Sequence, residues 1–247
     1  NESQRAAIDS ILQNMPVTIV HGPPGTGKTT TLVEAIFQMA KRGEKMLVSA
    51  PSNAAVDHLC RGLIAAGIKI LRIGNANKAD ATVYYHTPEG ILSGSSHQKE
   101  IRQLRIRAEE FRRMALKYKR HFGKDEREQR KLLFQEVKSI RGEIKKIQQY
   151  QEERLFSEAT VIAGTPVALY EAGLQKKDFH CLVLDEAGQC LETLAWCIFP
   201  LAERMVLAGD PWQLPPTVLS REAVQLGFQR SILELAIDRA GPVMLLD

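Results

Sequence analysis

Val17-Thr-Ile-Val-His-Gly-Pro-Pro-Gly-Thr-Gly-Lys-Thr29 decides the fold. Its apolar start, Val17–Val20, reads as a buried strand. Gly22 to Thr29 matches G-x-x-x-x-G-K-[ST], and Thr29–Lys41 reads as the helix that follows. A Gly-rich loop between a strand and a helix suits phosphate. Gly22, Gly25 and Gly27 let backbone N–H groups converge on an anion, and the helix N-terminus adds positive potential. Lys28 is placed to neutralise β- and γ-phosphate charge, and the Thr29 hydroxyl to ligate Mg²⁺. The nucleotide contacts expected here are Gly22, Pro23, Pro24, Gly25, Thr26, Gly27, Lys28, Thr29 and Thr30.

Outward from this stretch, further short apolar runs recur at Met46–Ala50, Lys69–Ile73, Thr160–Ala163, Cys181–Leu184, Arg204–Ala208 and Val243–Leu246. Helical stretches such as Asn53–Ala66 separate several of them. Continuous apolar strands alternating with helices predict an α/β fold with a mostly parallel, doubly wound sheet. In such sheets ligands bind at the carboxyl ends of strands, and two polar motifs begin there. Asp185 and Glu186 follow Leu182–Leu184. An Asp-Glu pair is common on surfaces, but behind a phosphate-binding loop and a buried strand it can divide the work. Asp185 would hold Mg²⁺ through its water shell, while Glu186 orients and deprotonates a water. Gln213 lies in Gly209-Asp-Pro-Trp-Gln-Leu-Pro-Pro216. Its amide can bond a γ-phosphate or the attacking water and lose that bond on hydrolysis; the plainer alternative is a rigid turn built by Gly209 and the prolines. Lys28, Asp185, Glu186 and Gln213 form the candidate catalytic set, with Thr29 and Asp185 as metal ligands. The chemistry expected is ATP hydrolysis, since kinases of small molecules rarely need the second carboxylate.

One segment breaks the alternation. Ile101, Leu104, Ala108, Phe111, Ala115 and Tyr118 step by three and four, and after His121-Phe-Gly-Lys124 so do Leu133, Val137, Ile140, Ile144 and Ile147. This predicts two antiparallel helices sharing a seam, with Asp125 and Glu128 as a capping box opening the second. Residues 93–155 carry 18 Lys and Arg against 10 Asp and Glu, whereas the remainder carries 15 against 19. The basic character is local, which suits a polyanion partner or, equally, solvated helix faces on a structural stalk. Cys60, Cys181, Cys190 and Cys197 show no metal-ligand spacing and read as buried free thiols suited to a reducing interior. No run approaches a membrane span and no signal-peptide layout opens the chain, so an intracellular, cytoplasmic or nuclear setting is expected. The chain starts without Met and stops directly after Val243–Leu246, and reads as a piece of a longer protein.

These motifs resemble those of superfamily 1 helicases. Gly22–Thr29 looks like motif I, Ala50-Pro-Ser-Asn-Ala-Ala-Val-Asp57 like motif Ia, Asp185–Gln189 like motif II and Gly209–Pro216 like motif III. The motif Ia form is that of the 5′→3′ branch, superfamily 1B, which contains the RNA surveillance helicase of nonsense-mediated decay. Asn1-Glu-Ser-Gln4 resembles the family's adenine-reading Q motif, which adds Gln4 to the nucleotide contacts. The resemblance implies a first RecA-like P-loop NTPase domain over 1–92 and 156–247, interrupted by the helical hairpin 93–155, where this branch inserts a subdomain. It also implies that Pro51, Ser52 and Asn53, and Gly164, Thr165 and Pro166, touch the sugar-phosphate backbone of single-stranded DNA or RNA. Simple N-capping of the helix from Asn53 is the alternative reading of Ser52 and Asn53, and both can hold.

In this family a second RecA-like domain of the same protein supplies arginines to the ATP site. That domain is expected beyond residue 247, so the piece alone should turn over ATP poorly. The expectation is therefore an ATP- and Mg²⁺-dependent helicase motor, with a nucleotide-dependent clamp or remodeller that does not unwind as the rival, and a protein partner for the hairpin as a further possibility. Asn77-Lys-Ala-Asp80 matches the guanine-reading NKxD of GTPases, but it precedes Asp185 instead of following it and reads as a loop.

Overall fold

The computed structural model describes residues 1–93, 95–117, 123–174, 178–239 and 243–247. Among these residues seven strands run in chain order as β1 (Val17–His21), β2 (Met46–Ser49), β3 (Ile70–Arg72), β4 (Val161–Gly164), β5 (Phe179–Leu184), β6 (Ala202–Gly209) and β7 (Val243–Leu245). The described helices are α1 (Glu2–Leu12), α2 (Lys28–Lys41), α3 (Asn53–Ala65), α4 (Ala81–Tyr84), α5 (Pro88–Ser93), α6 (Ser96–Leu116), α7 (Lys124–Glu158), α8 (Pro166–Glu171), α9 (Glu192–Ile198), α10 (Arg221–Gln225) and α11 (Ile232–Arg239). Each apolar run expected to be a strand is one, with ends moved by a residue or two.

The strands form one sheet in the order β3-β4-β2-β5-β6-β1-β7, and every pairing is parallel. The sheet is buried on both faces. Val20, Met46, Val48, Val161, Val183 and Val206 join α1, α2 and α3 in one core, through Ile11, Leu32, Ile36, Leu59 and Leu63 among others. The alternate positions Ile19, Leu47, Leu182 and Leu207 are buried as well, as are Leu169 of α8, Ile198 of α9 and Leu233 of α11. Strands covered on both faces have no polar side to show, hence their unbroken apolar sequence.

Two buried charged residues interrupt that pattern, and each has partners. Arg204 on β6 donates to the Ile11 carbonyl at 2.7 Å and to Glu44 Oε2 at 3.0 Å, closing the sheet's amino-terminal edge. Arg72 on β3, with no exposed surface, donates to Asp57 Oδ1 of α3 at 3.0 Å and to Asn53 Oδ1 at 2.7 Å. The two ends of the chain meet beside β1: Asn1 Nδ2 donates to the Asp247 carbonyl at 2.8 Å, and the Leu246 N–H to the His21 carbonyl at 2.8 Å.

The described residues cluster into two compact units, Asn1–Thr87 with Glu158–Asp247, and Pro88–Ser157. In the second unit α6 and α7 pack through Ala108, Ile140 and Ile144, with Ile101, Leu104 and Phe111 against them. One cavity joins His97 and Arg105 to Gln151 and another joins Ala115 to Leu133, so the helices are antiparallel. Tyr118, His121 and Phe122 lie outside the described residues.

The expected cap at Asp125 and Glu128 is not the one formed. Helix α7 starts at Lys124, and Glu126 Oε2 accepts from the Gly123 N–H at 3.1 Å. Glycine takes the cap position at little cost, which moves the reciprocal carboxylate to Glu126 and leaves Asp125 in the first turn as a charge on the helix dipole. Within Asn77-Lys-Ala-Asp80 the first two residues close a short 3₁₀ turn over Ala76–Lys78, and Asp80 caps α4 through the Thr82 N–H at 2.9 Å. Cys60, Cys181 and Cys190 are buried, and burial pushes each thiol up to about 12. Cys197 departs from the expectation: it is exposed on α9, its thiol directed to the Thr193 carbonyl at 3.3 Å. Among the described residues no helix is long and apolar enough to cross a membrane.

Candidate nucleotide and nucleic-acid site

Because all strands are parallel, their carboxyl ends share one edge, and five neighbours in the order β4-β2-β5-β6-β1 carry the candidate residues there. On β1 the loop after His21 turns through Gly25 at φ 87° and Gly27 at φ 81° into α2. Gly22 has no room for a side chain: a Cβ there would lie 2.6 Å from Thr26 Oγ1 and 2.9 Å from Leu246 Cβ. Thr26 Oγ1 donates to the Pro23 carbonyl at 2.9 Å, and Lys28 Nζ to the Gly22 and Pro23 carbonyls at 2.5 and 3.1 Å. The lysine is thus folded over the loop that its own chain forms. Gln4 reaches the same loop from α1, its Nε2 donating to the Thr26 carbonyl at 2.9 Å. Thr29 is half-buried in the first turn of α2, while Pro23, Pro24, Gly25 and Thr30 are exposed.

Asp185 follows β5 and is 4% exposed. Its N–H continues the ladder to the Ser49 carbonyl at 2.9 Å, and its Oδ1 accepts from the Glu186 N–H at 2.9 Å. Burial pushes its carboxyl from 3.8 up to about 6; the Glu186 N–H lowers it, the Glu186 charge raises it and Lys28 lowers it. Lys28 and Asp185 therefore feel each other across the intervening β6. Glu186 sits at φ 52°, in the left-handed region that non-glycine residues avoid at a cost of about 1 kcal/mol. Backbone strain of this kind clusters at functional sites.

The end of β6 is pressed against the turn after Glu186. A Cβ on Gly188 would come within 2.7 Å of the Asp210 carbonyl, and one on Gly209 within 3.0 Å of the Gly188 nitrogen. Asp210 organises the rest. Its Oδ1 accepts from the Trp212 N–H at 3.0 Å and lies 3.3 Å from His21 Nε2, and Gln213 Nε2 donates to its Oδ2 at 3.3 Å. Burial acts to raise the Asp210 carboxyl, but the bonds from Trp212, Gln213 and His21 outweigh it and hold it below the usual range. So Gln213 connects through Asp210 to the residue that opens the phosphate loop.

On the neighbouring strands two helix starts stand side by side, since Ser49 of β2 pairs with Gly164 of β4. Ser52 caps α3, its Oγ accepting from the Ala55 N–H at 3.1 Å, and Thr165 caps α8, its Oγ1 accepting from the Ala168 N–H at 3.4 Å. Pro166 opens α8 and is buried, Pro51 is half-buried, and Ser52 is exposed. Asn53 is held by the Arg72 guanidinium behind it. The capping role of Ser52 is thus present, and it leaves the helix N-termini facing the same edge.

Arg72, Asp57, His21 and Asp210 were not assigned roles from the sequence. Arg72 had left a signal, because an arginine between Leu71 and Ile73 in a buried strand must have a buried partner. The His21–Asp210 pairing joins residues far apart in the chain and left none.

A family model described as AAA domain matches residues 1–221. DNA-binding protein SMUBP-2 of Mesocricetus auratus is 34% identical over 247 residues, covering 97% of this chain and 24% of that protein. ATP-dependent helicase NAM7 of Saccharomyces cerevisiae is 30% identical over 246 residues, 96% of this chain and 22% of the relative. Regulator of nonsense transcripts 1 homolog of Arabidopsis thaliana is 30% identical over 247 residues, 95% and 17% respectively. The chain spans a quarter or less of the length of these relatives.

Proposed function

The chain belongs to the AAA domain family, as a motor domain of the superfamily 1B helicase type, and we propose that it couples ATP hydrolysis to movement along a single strand of DNA or RNA, unwinding duplex ahead of it in the 5′→3′ direction. The observation that carries this reading is the shared edge. The nucleotide motifs end β1, β5 and β6, and the two capped helix starts end the adjoining β2 and β4. A shift at one set of strand ends is therefore a shift beside the other.

In this reading the N–H groups of Gly25 to Thr29 hold the phosphates, Lys28 turns from the Gly22 and Pro23 carbonyls to the β- and γ-oxygens, and Gln4 borders the base. Mg²⁺ fits the donor set, since the Thr29 hydroxyl and a carboxylate whose burial awaits a compensating cation are hard oxygen ligands, and when bound it offsets phosphate charge. Glu186 takes the proton of the attacking water. Gln213 bonds the γ-phosphate, and its loss of that bond is felt by Asp210 and His21. Ser52, Asn53, Thr165 and the N–H groups of α3 and α8 hold backbone phosphates without reading bases. A second RecA-like domain of the full-length protein would complete the ATP site with arginines.

Glu186→Gln in the full-length protein tests this. It should keep ATP affinity and lower turnover by about 10²–10⁴-fold, the usual share of a general base. Wild-type turnover would place the base elsewhere. A strand-displacement assay on the wild-type full-length protein should show unwinding; binding that responds to nucleotide without displacement would make it a clamp.

A further inference from the structure

The hairpin unit contains a cavity of about 300 Å³, where the first turns of α6 meet the later turns of α7. That is roughly ten times the share of liquid volume taken by one water. His97, Arg102 and Arg105 of α6 and Gln151 of α7 line it together with Ser95, and no carboxylate does. The absence of acid is selective, because the surrounding segment 93–155 contains ten Asp and Glu.

Two buried polar atoms in this wall have no partner. Gln151 is 6% exposed, and its Nε2 has no hydrogen-bond partner. Ser95 occupies the cap position of α6, yet its hydroxyl does not cap the helix and is likewise buried without a partner. A buried amide donor left unbonded costs free energy that an acceptor would recover, and native structures keep few such groups. Around them stand two guanidinium groups and the positive end of a helix of 21 residues. What the cavity offers is donors, and what it lacks is an acceptor with negative charge.

We propose that this cavity is a phosphoryl-anion site, in which Gln151 Nε2 and Ser95 Oγ donate to phosphate oxygens while Arg102 and Arg105 neutralise them. The site is separate from the nucleotide edge and stands whether or not the ATPase reading does. Its ligand is either a backbone phosphate of a bound nucleic-acid strand or free phosphate.

The test titrates the isotope-labelled chain with inorganic phosphate and, separately, with a short oligothymidylate, following the side-chain resonances of Gln151 and His97 by NMR. Saturable shifts at both residues are expected, lost in Arg102→Gln/Arg105→Gln. Gln151→Leu, which puts an apolar group where an unpaired amide was, should melt at the same or a higher temperature. It should also weaken the phosphate response at His97 at least tenfold, which covers the case in which the arginine variant does not fold. If oligothymidylate affinity falls at least tenfold in Arg102→Gln/Arg105→Gln but not in the charge-matched Arg112→Gln/Arg113→Gln, the ligand is backbone phosphate. A saturable response to inorganic phosphate with oligothymidylate affinity unchanged makes it free phosphate. No saturable shift at Gln151 or His97 with either probe, or a phosphate response in Gln151→Leu equal to wild type, overturns the proposal.

Discussion

Asp185, the proposed metal ligand, acts against the stability of its own fold. Its folded carboxyl titrates near 6 where the ordinary value is 3.8, so between these values the folded chain holds a proton that the unfolded chain has released. Stability therefore falls as pH rises from about 4 to about 6 and is flat above that. At 1.36 kcal/mol per unit the penalty at pH 7 is at most about 3 kcal/mol. Asp185→Asn keeps an acceptor for the Glu186 N–H and removes the penalty. It should raise the urea midpoint at pH 7, show little difference from wild type below pH 4, and lose affinity for Mg²⁺-nucleotide. Equal midpoints at pH 7 would show that burial costs this carboxylate nothing. Residue by residue, the phosphate loop, Asp185, Glu186 and Gln213 were legible from local motifs, because each needs only its own strand end. The Asp210 pairing was not, since its bond to His21 joins two strands that meet only in the folded sheet.

Between elements, the Arg72–Asp57 pair ties β3 to α3 and so sets where the helix start with Ser52 and Asn53 stands. Removing one partner from a buried pair leaves an uncompensated charge, at about 3–5 kcal/mol, whereas replacing both with apolar residues is often neutral. Asp57→Ala should accordingly be destabilised by about that amount in urea unfolding, and Asp57→Leu/Arg72→Met by much less. Similar losses in both would mean that packing, and not charge, decides the contact. The hairpin poses a different question. Its seam was readable from three-and-four spacing alone, but not its cap, because a glycine at the cap position carries no side-chain signal. We expect that a short Gly/Ser linker in place of residues 98–154 weakens single-strand affinity. Each lost phosphate contact should reduce the log–log salt slope by about 0.7, while ATP affinity is retained. An unchanged slope in an anisotropy titration would make the hairpin a stalk.

At the scale of the molecule, strand and helix assignments followed from two-sided burial, while the order β3-β4-β2-β5-β6-β1-β7 did not, since periodicity says that a strand is buried and not beside which neighbour. Arginines supplied by a partner are worth roughly 10³–10⁵ in turnover in comparable NTPases. The isolated chain should therefore bind ATP yet hydrolyse it at least about 10³-fold more slowly than the full-length protein in a phosphate-release assay; matching rates would mean that the site is complete without a second domain. The order has one more consequence. Among the described residues strand β1, the first of the sheet in sequence, pairs only with β6 and β7, the last two of the sheet, in the registers Val17 with Met205 and Ile19 with Val243. During synthesis the phosphate loop thus leaves the ribosome ahead of both strands that flank its own and waits, that strand without a neighbour, until most of the sheet has followed. Nucleotide cannot assist the early steps of folding, and a nascent chain arrested before β6 carries the full loop sequence with no capacity to use it.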